Sequence, residues 1–133
     1  MTQLNVLFYT GSKEEASERL YGLEDIVSLH ARTKVLRSID DLSSMLSLSA
    51  YDGPTVAVLL ADNKEDLRKL RSIRHQLSDI DFILILPDRE AETTRMGYSL
   101  APRFLTCVED NLDEVAAILG KMIETYQKHD VPG

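Results

Sequence analysis

Short apolar runs alternate with longer amphipathic stretches along the chain. The runs are rich in strand-forming residues and end at turn or charged residues, which is typical of strands buried on both faces of a sheet. The run at residues 55–61 (TVAVLLA) is the most continuous of them, so we predict that it forms the central strand. The predicted strands are residues 4–9, 33–39, 55–61, 81–86 and 103–108.

A predicted helix follows each of these strands. Apolar residues recur every three or four positions in these stretches, and polar residues that can cap the first turn precede them. The clearest stretch begins at Asn63 and carries its apolar stripe to Leu77, which predicts one long helix. The other helices are predicted to begin near Lys13, Asp40 or Asp41, Asp88 and Asp110. Five strands alternating with five helices imply a parallel sheet covered on both faces, whose chemistry lies beyond the carboxyl ends of the strands.

The length and composition fit a single packed domain. The chain has 133 residues, of which 44% are hydrophobic, and this is enough to bury one core. We assign residues 1–127 to the domain and residues 128–133 to a tail or linker stump. No apolar run approaches the roughly 18–20 residues of a membrane span, and the first residues lack the pattern of a secretory signal. We therefore expect a cytoplasmic protein that does not bind membranes.

The charge and the reactive residue types narrow the function further. A net charge of −7 argues against a dedicated nucleic-acid-binding protein, because such proteins need a basic surface. The predicted third helix is nevertheless basic, which favours either an acidic partner or simply a solvated face. Cys107 is the only cysteine, so intramolecular disulfides and CxxC motifs are excluded. The three histidines lie on separate predicted elements, and we predict no metal site.

Four consecutive segments resemble a response-regulator receiver domain. They are TVAVLLADN from Thr55, LRKLRSIR from Leu67, DFILILPD from Asp81 and APRFLTCVEDNLDEVAAIL from Ala101. The resemblance implies an α/β, flavodoxin-like (βα)5 three-layer sandwich with a five-stranded parallel sheet of order 2-1-3-4-5. In that family the third strand ends in an aspartate that accepts a phosphoryl group.

Two residues match functional positions of the family. Asp62 would be the phosphoacceptor, and a helix cap or solvated loop position is the alternative interpretation. Phe104 would be the aromatic switch residue, and a core position is the alternative.

The other functional positions depart from the family pattern. Thr10-Gly11 stands in place of the acidic pair that holds magnesium, and Pro87 replaces the hydroxyl residue that follows the phosphoryl group. Cys107 stands in place of the lysine that pairs with the phosphoryl oxygens, and a thiol cannot supply a permanent positive charge. We interpret Cys107 as a buried apolar residue, with a redox-sensing thiol as the alternative.

These departures predict a receiver-like signalling and protein-interaction domain that does not depend on aspartyl phosphorylation. It would be neither an enzyme nor a cofactor-binding protein. Its partner would be a protein, such as a signalling regulator or a second copy of the chain. Arg68 and Arg71 of the basic helix, together with Met96 and Tyr98, form the candidate partner surface.

Two other functions stay open. In the first, the chain is an atypical receiver that is phosphorylated on Asp62 and requires magnesium for that step. In the second, backbone N–H groups at the Gly11-Ser12 helix start bind a small ligand or nucleotide, although the preceding glycine of a phosphate-binding loop is missing.

Overall fold

The computed structural model describes residues 4–10, 22, 32–52, 54–108 and 113–130. Its strands form one parallel sheet in the order β2-β1-β3-β4-β5, so the predicted fold class and strand order are confirmed, with residues 55–61 at the centre. The strands are β1 (Asn5–Thr10), β2 (Arg32–Leu36), β3 (Thr55–Leu60), β4 (Asp81–Leu86) and β5 (Phe104–Cys107).

The structure describes helices that begin near three of the predicted starts, namely Asp40 or Asp41, Asn63 and Asp88. The helices of the described residues are α1 (Ile39–Asp52), α2 (Lys64–Ser72), α3 (Arg74–Leu77), α4 (Ala91–Ser99) and α5 (Asp113–Asp130). The predicted helix starts at Lys13 and Asp110 lie outside the described residues. None of the helices in the described part of the chain is both long and apolar enough to cross a membrane.

Two sequence predictions about element ends were wrong. The second strand ends at Leu36 rather than Ile39, because the Ser38 hydroxyl accepts a hydrogen bond from the Asp41 backbone N–H at 3.1 Å and thereby starts α1. The cap of this helix is therefore Ser38 and not Asp40 or Asp41.

The long helix predicted from Asn63 is also divided in two. Ile73 leaves helical geometry, with φ −113° and ψ 21°, and its N–H bonds to the Leu70 carbonyl in a tightened turn at 3.1 Å. Ile73 and Leu77 both remain buried, so the apolar stripe follows the core although the helix is interrupted.

The core has two halves, one on each face of the sheet. One half joins β1, β3 and β4 to the apolar stripe of α5, and it includes Phe8, Val58 and Leu119. The other half joins the opposite strand faces to α1, α2 and α3, and it includes Leu59 and Leu67. Every residue of β1 and β3 is buried, as expected for strands covered on both sides.

Helix α4 approaches the sheet closely at Gly97. A Cβ atom at this position would lie 2.9 Å from Leu86 Cδ2 and 3.1 Å from Leu105 Cδ1. The helix ends at Ser99 and is capped by Leu100. Ala101 follows, with a φ of 56° in the left-handed region, and its N–H donates to the Tyr98 carbonyl at 3.0 Å. Pro102 follows, which prevents the helix from continuing.

Candidate functional site at the carboxyl edge of the sheet

The strand register brings the ends of four strands to one edge of the sheet. Thr10 pairs with Leu60, and Leu86 pairs with Cys107. The backbone continues this pairing past β3 and β5, since the Ala61 N–H donates to the Ile85 carbonyl at 3.0 Å and the Val108 N–H donates to the Leu86 carbonyl at 2.8 Å. Four of the positions picked out from the sequence therefore lie along this edge, namely Thr10, Asp62, Pro87 and Cys107. Gly11 and Ser12 lie outside the described residues.

Asp62 directly follows the central strand and is half-buried. Its backbone N–H donates to Asp66 Oδ2 at 2.8 Å, while its own carboxylate has no hydrogen bond or ion pair among the described residues. The helix cap is the next residue, because Asn63 Oδ1 accepts from the Asp66 N–H at 2.9 Å. The Asp62 side chain therefore does not cap α2.

Two residues that the sequence interpretation passed over lie beside Asp62. Tyr9 is 2% exposed and Asp66 is 7% exposed. Burial raises the pKa of the Tyr9 hydroxyl to about 12, and the negative charges of Asp66 and Asp62 act in the same direction. The group around Asp62 therefore holds two carboxylates and a protonated phenol.

The cation nearest to Asp62 in sequence, Lys64, is already paired. Its Nζ lies 2.9 Å from Glu90 Oε2 and 3.4 Å from Glu92 Oε2, so it joins the start of α2 to the start of α4. These two carboxylates raise the pKa of Lys64. The charge of Lys64 is therefore matched by two carboxylates at the start of α4.

The loop after β4 is organised by Asp88. Its Oδ1 accepts a hydrogen bond from the Glu90 N–H at 2.9 Å. This bond lowers the pKa of Asp88, and the nearby Thr93 hydroxyl and the Lys64 charge add to the effect. The Thr93 hydroxyl is fully buried, and although it is close enough to influence Asp88, it has no partner in hydrogen-bonding geometry among the described residues.

The remaining family positions offer no reactive group to solvent. Pro87 is half-buried and has neither a hydroxyl nor a backbone N–H. The Cys107 side chain is 3% exposed, which agrees with its interpretation as a buried residue. Phe104 is the first residue of β5. It is half-buried and packs against the half of the core that contains α5. Within the described ranges, no three His, Cys, Asp or Glu residues are grouped as metal ligands.

The four residues of the candidate partner surface lie on two helices on the same face of the sheet. Arg68 and Arg71 are exposed on α2, and Arg68 pairs with Glu65 at 3.2 Å. Tyr98 on α4 is 66% exposed, and it is the only exposed large apolar side chain among the described residues. Met96 is half-buried and packs against the core, so it contributes little to this surface.

Comparison with known proteins rests on structure. No protein-family profile and no curated protein matches the sequence. The crystal structure of the signal receiver domain of an HD domain-containing protein from Pseudomonas fluorescens Pf-5 is similar, with a TM-score of 0.69 and 15% sequence identity. The similarity covers 98% of this chain and 96% of that chain. This chain has the receiver fold.

The receiver fold allows the carboxyl edge to be compared with the positions expected from the resemblance. It places Thr10, Pro87 and Cys107 at the strand ends where the resemblance expects an acidic residue, a hydroxyl and a lysine. It also places Asp62 at the end of the central strand. Of the groups that the resemblance expects at these four strand ends, the aspartate is present, as Asp62. The second carboxylate at this edge, Asp66, comes from α2 rather than from β1.

Proposed function

We propose that the chain is a receiver-like signalling and protein-interaction domain that works without aspartyl phosphorylation and has no enzymatic activity. The observation that carries this proposal is the composition of the carboxyl edge. Asp62 shares that edge with Thr10, Pro87 and Cys107, none of which can bind magnesium strongly or offer a positive charge. The proposed role also agrees with the expected cytoplasmic location.

The physical argument concerns the charge of the transferred group. Phosphoryl transfer places negative charge on the equatorial oxygens, and proteins offset it with divalent cations and with Lys or Arg. Asp66 instead adds a second negative charge beside Asp62, and Lys64 is held by Glu90 and Glu92. Phosphorylation of Asp62 would therefore be opposed by the charges that surround it.

The test uses a small phosphoryl donor. The protein is incubated with acetyl phosphate and Mg²⁺, and the intact protein is weighed by mass spectrometry. We expect no phosphoryl adduct, and the Asp62→Asn variant serves as the control for adducts elsewhere. An adduct on the wild-type chain that disappears in Asp62→Asn would contradict the proposal.

The second candidate function is an atypical phosphoacceptor, and one observation favours it. The Asp62 carboxylate is partly open to solvent and is not used by any described residue, so a donor can reach it. In this function Mg²⁺ would be required, and Asp62 and Asp66 would be the carboxylates closest to it. The acetyl phosphate experiment separates the two functions, because only this one predicts the adduct.

We also propose that α2 is the partner-binding element. Residues 64–75 hold five of the 15 Lys and Arg residues but two of the 22 Asp and Glu residues, so the rest of the chain has 10 basic and 20 acidic residues. Such a segregated basic surface favours an acidic protein partner. The exposed Tyr98 on the neighbouring helix α4 can add apolar contact area.

A further inference from the structure

A cavity lies at the opposite edge of the sheet from Asp62. It has a volume of about 490 Å³ and opens between the start of β4, the start of β5 and the middle of α5. This volume falls within the roughly 300–1,000 Å³ that small-molecule sites occupy. The cavity shares no residue with the carboxyl edge, so it is independent of the proposed function.

The floor of the cavity is apolar and partly open to solvent. Phe104, Ile118 and Met122 form it, and of these Phe104 and Ile118 are only half-buried. The opening exists because β5 is the last strand of the sheet and has only four residues, so no further strand covers Phe104. A ligand that covered these side chains would gain the free energy of removing apolar surface from water.

Two cations stand at the walls of the cavity on different elements. Arg103 precedes β5, and Lys121 lies on α5. Both side chains are exposed, and neither has an ion pair within the part of the chain that the structure describes. The acidic lining residue is Asp81, so the lining has a net positive charge within a chain of net charge −7.

The hydroxyl at the cavity wall is already used within the helix. Thr125 Oγ1 donates to the Lys121 carbonyl at 2.9 Å. Arg103 and Lys121 are therefore the lining side chains that can donate hydrogen bonds to a ligand, and both favour an anion.

We propose that this cavity binds a small amphipathic carboxylate with an aliphatic chain. The carboxylate lies between Arg103 and Lys121, and the chain covers Phe104, Ile118 and Met122. Arg favours carboxylates because its planar fork donates two parallel hydrogen bonds. An aliphatic chain fits the floor better than a planar ring system, because two of the three floor residues are aliphatic.

The test titrates octanoate into the ¹⁵N-labelled chain, below the concentration at which octanoate forms micelles. We expect saturable chemical-shift changes at Arg103, Phe104, Ile118, Lys121 and Met122. Acetate lacks the aliphatic chain and octanol lacks the charge, so each should bind at least about tenfold more weakly. Equal binding of octanol and octanoate, or no saturable shift at these residues, would overturn the proposal.

Variants locate the charge contacts. Arg103→Gln and Lys121→Gln should each weaken octanoate binding by about tenfold and leave octanol binding unchanged. Arg95→Gln is the matched control, because Arg95 is exposed on α4 and does not line the cavity. All three substitutions are at exposed positions, and a circular dichroism melt of each variant verifies folding. The same loss in Arg95→Gln as in the two cavity variants would also overturn the proposal.

Discussion

Tyr9 shows how a single buried side chain can carry information about the candidate site. Its phenol lies in the core, near the negative charges of Asp66 and Asp62. Burial and these charges both oppose the loss of the phenol proton in the folded protein. The sequence alone does not reveal these charge interactions, because Tyr9 ends a predicted strand and has the pattern of an ordinary strand residue. Only the register, which brings the end of β1 beside the start of α2, places the phenol near the two carboxylates.

The raised pKa of Tyr9 predicts a loss of stability in alkaline solution. Between the ordinary pKa of 10.0 and the folded value of about 12, the unfolded chain releases the Tyr9 proton while the folded chain keeps it. The free energy of unfolding therefore falls as the pH rises through this window. At about pH 11 the loss should be about 1 kcal/mol, and Tyr9→Phe should not show it.

Urea unfolding at about pH 8 and about pH 11 measures the effect. The other tyrosines are present in both proteins, so their titration cancels when wild type is compared with Tyr9→Phe. If both proteins lost the same free energy of unfolding, the assignment of the raised pKa to Tyr9 would be wrong.

At the scale of the elements, the turn that follows α4 contains a residue under conformational strain. Ala101 has φ 56°, a conformation that costs an L-residue with a Cβ atom roughly 1–2 kcal/mol. The cap requires this conformation because the Ala101 N–H must reach the Tyr98 carbonyl before the chain turns into β5.

Replacing Ala101 by glycine should therefore stabilise the protein. We expect Ala101→Gly to raise the free energy of unfolding by up to about 1 kcal/mol, because glycine adopts positive φ without the Cβ clash. Ala117→Gly, at an exposed interior position of α5, is the control and should lower it by roughly 0.5–1 kcal/mol. Denaturant unfolding of both variants gives the sign, and destabilisation by Ala101→Gly would contradict the strain argument.

The elements were largely predictable from the sequence because burial on both faces makes the strands nearly continuous apolar runs. Where local hydrogen bonds decide the outcome, the pattern was insufficient. The pattern predicts that Ile39 ends a strand, yet Ile39 is the first residue of α1, because the Ser38 hydroxyl caps that helix. The stripe from Leu67 to Leu77 reads as one helix, yet the turn at Ile73 interrupts it, because a stripe shows which residues face the core but not whether the helix axis continues.

At the scale of the whole molecule, the distribution of charge separates one helix from the rest of the surface. The sequence revealed the excess of cations between residues 64 and 75, but only the fold shows how they are used. Lys64 is tied to Glu90 and Glu92, and Arg68 pairs with Glu65. Arg71 remains exposed without an ion pair among the described residues, and α4 with its exposed Tyr98 lies alongside.

Reversing two positive charges of this helix should weaken binding to an acidic partner. We expect Arg68→Glu combined with Arg71→Glu to weaken the captured complex by about tenfold or more. Lys34→Glu combined with Lys121→Glu is the matched control, because it changes the net charge equally at exposed positions on β2 and α5. Pull-downs from cell extract identify the complex, and titration of the purified partner at two ionic strengths gives the affinities.

The two double variants make the outcome unambiguous. Binding that survives in the control, disappears in the α2 variant and weakens with added salt supports the basic surface. Equal loss in both variants would mean that only the overall charge matters, and α2 would then not be the partner-binding element.

The burial of the only thiol in the chain has a practical consequence. Cys107 is 3% exposed at the end of β5, so a thiol reagent can reach it only when the edge of the sheet opens. The labelling rate of the unmodified protein therefore reports how often β5 separates from β4. Any ligand or partner that holds β5 against β4 will slow this labelling, which makes Cys107 a built-in probe for opening at this edge of the sheet.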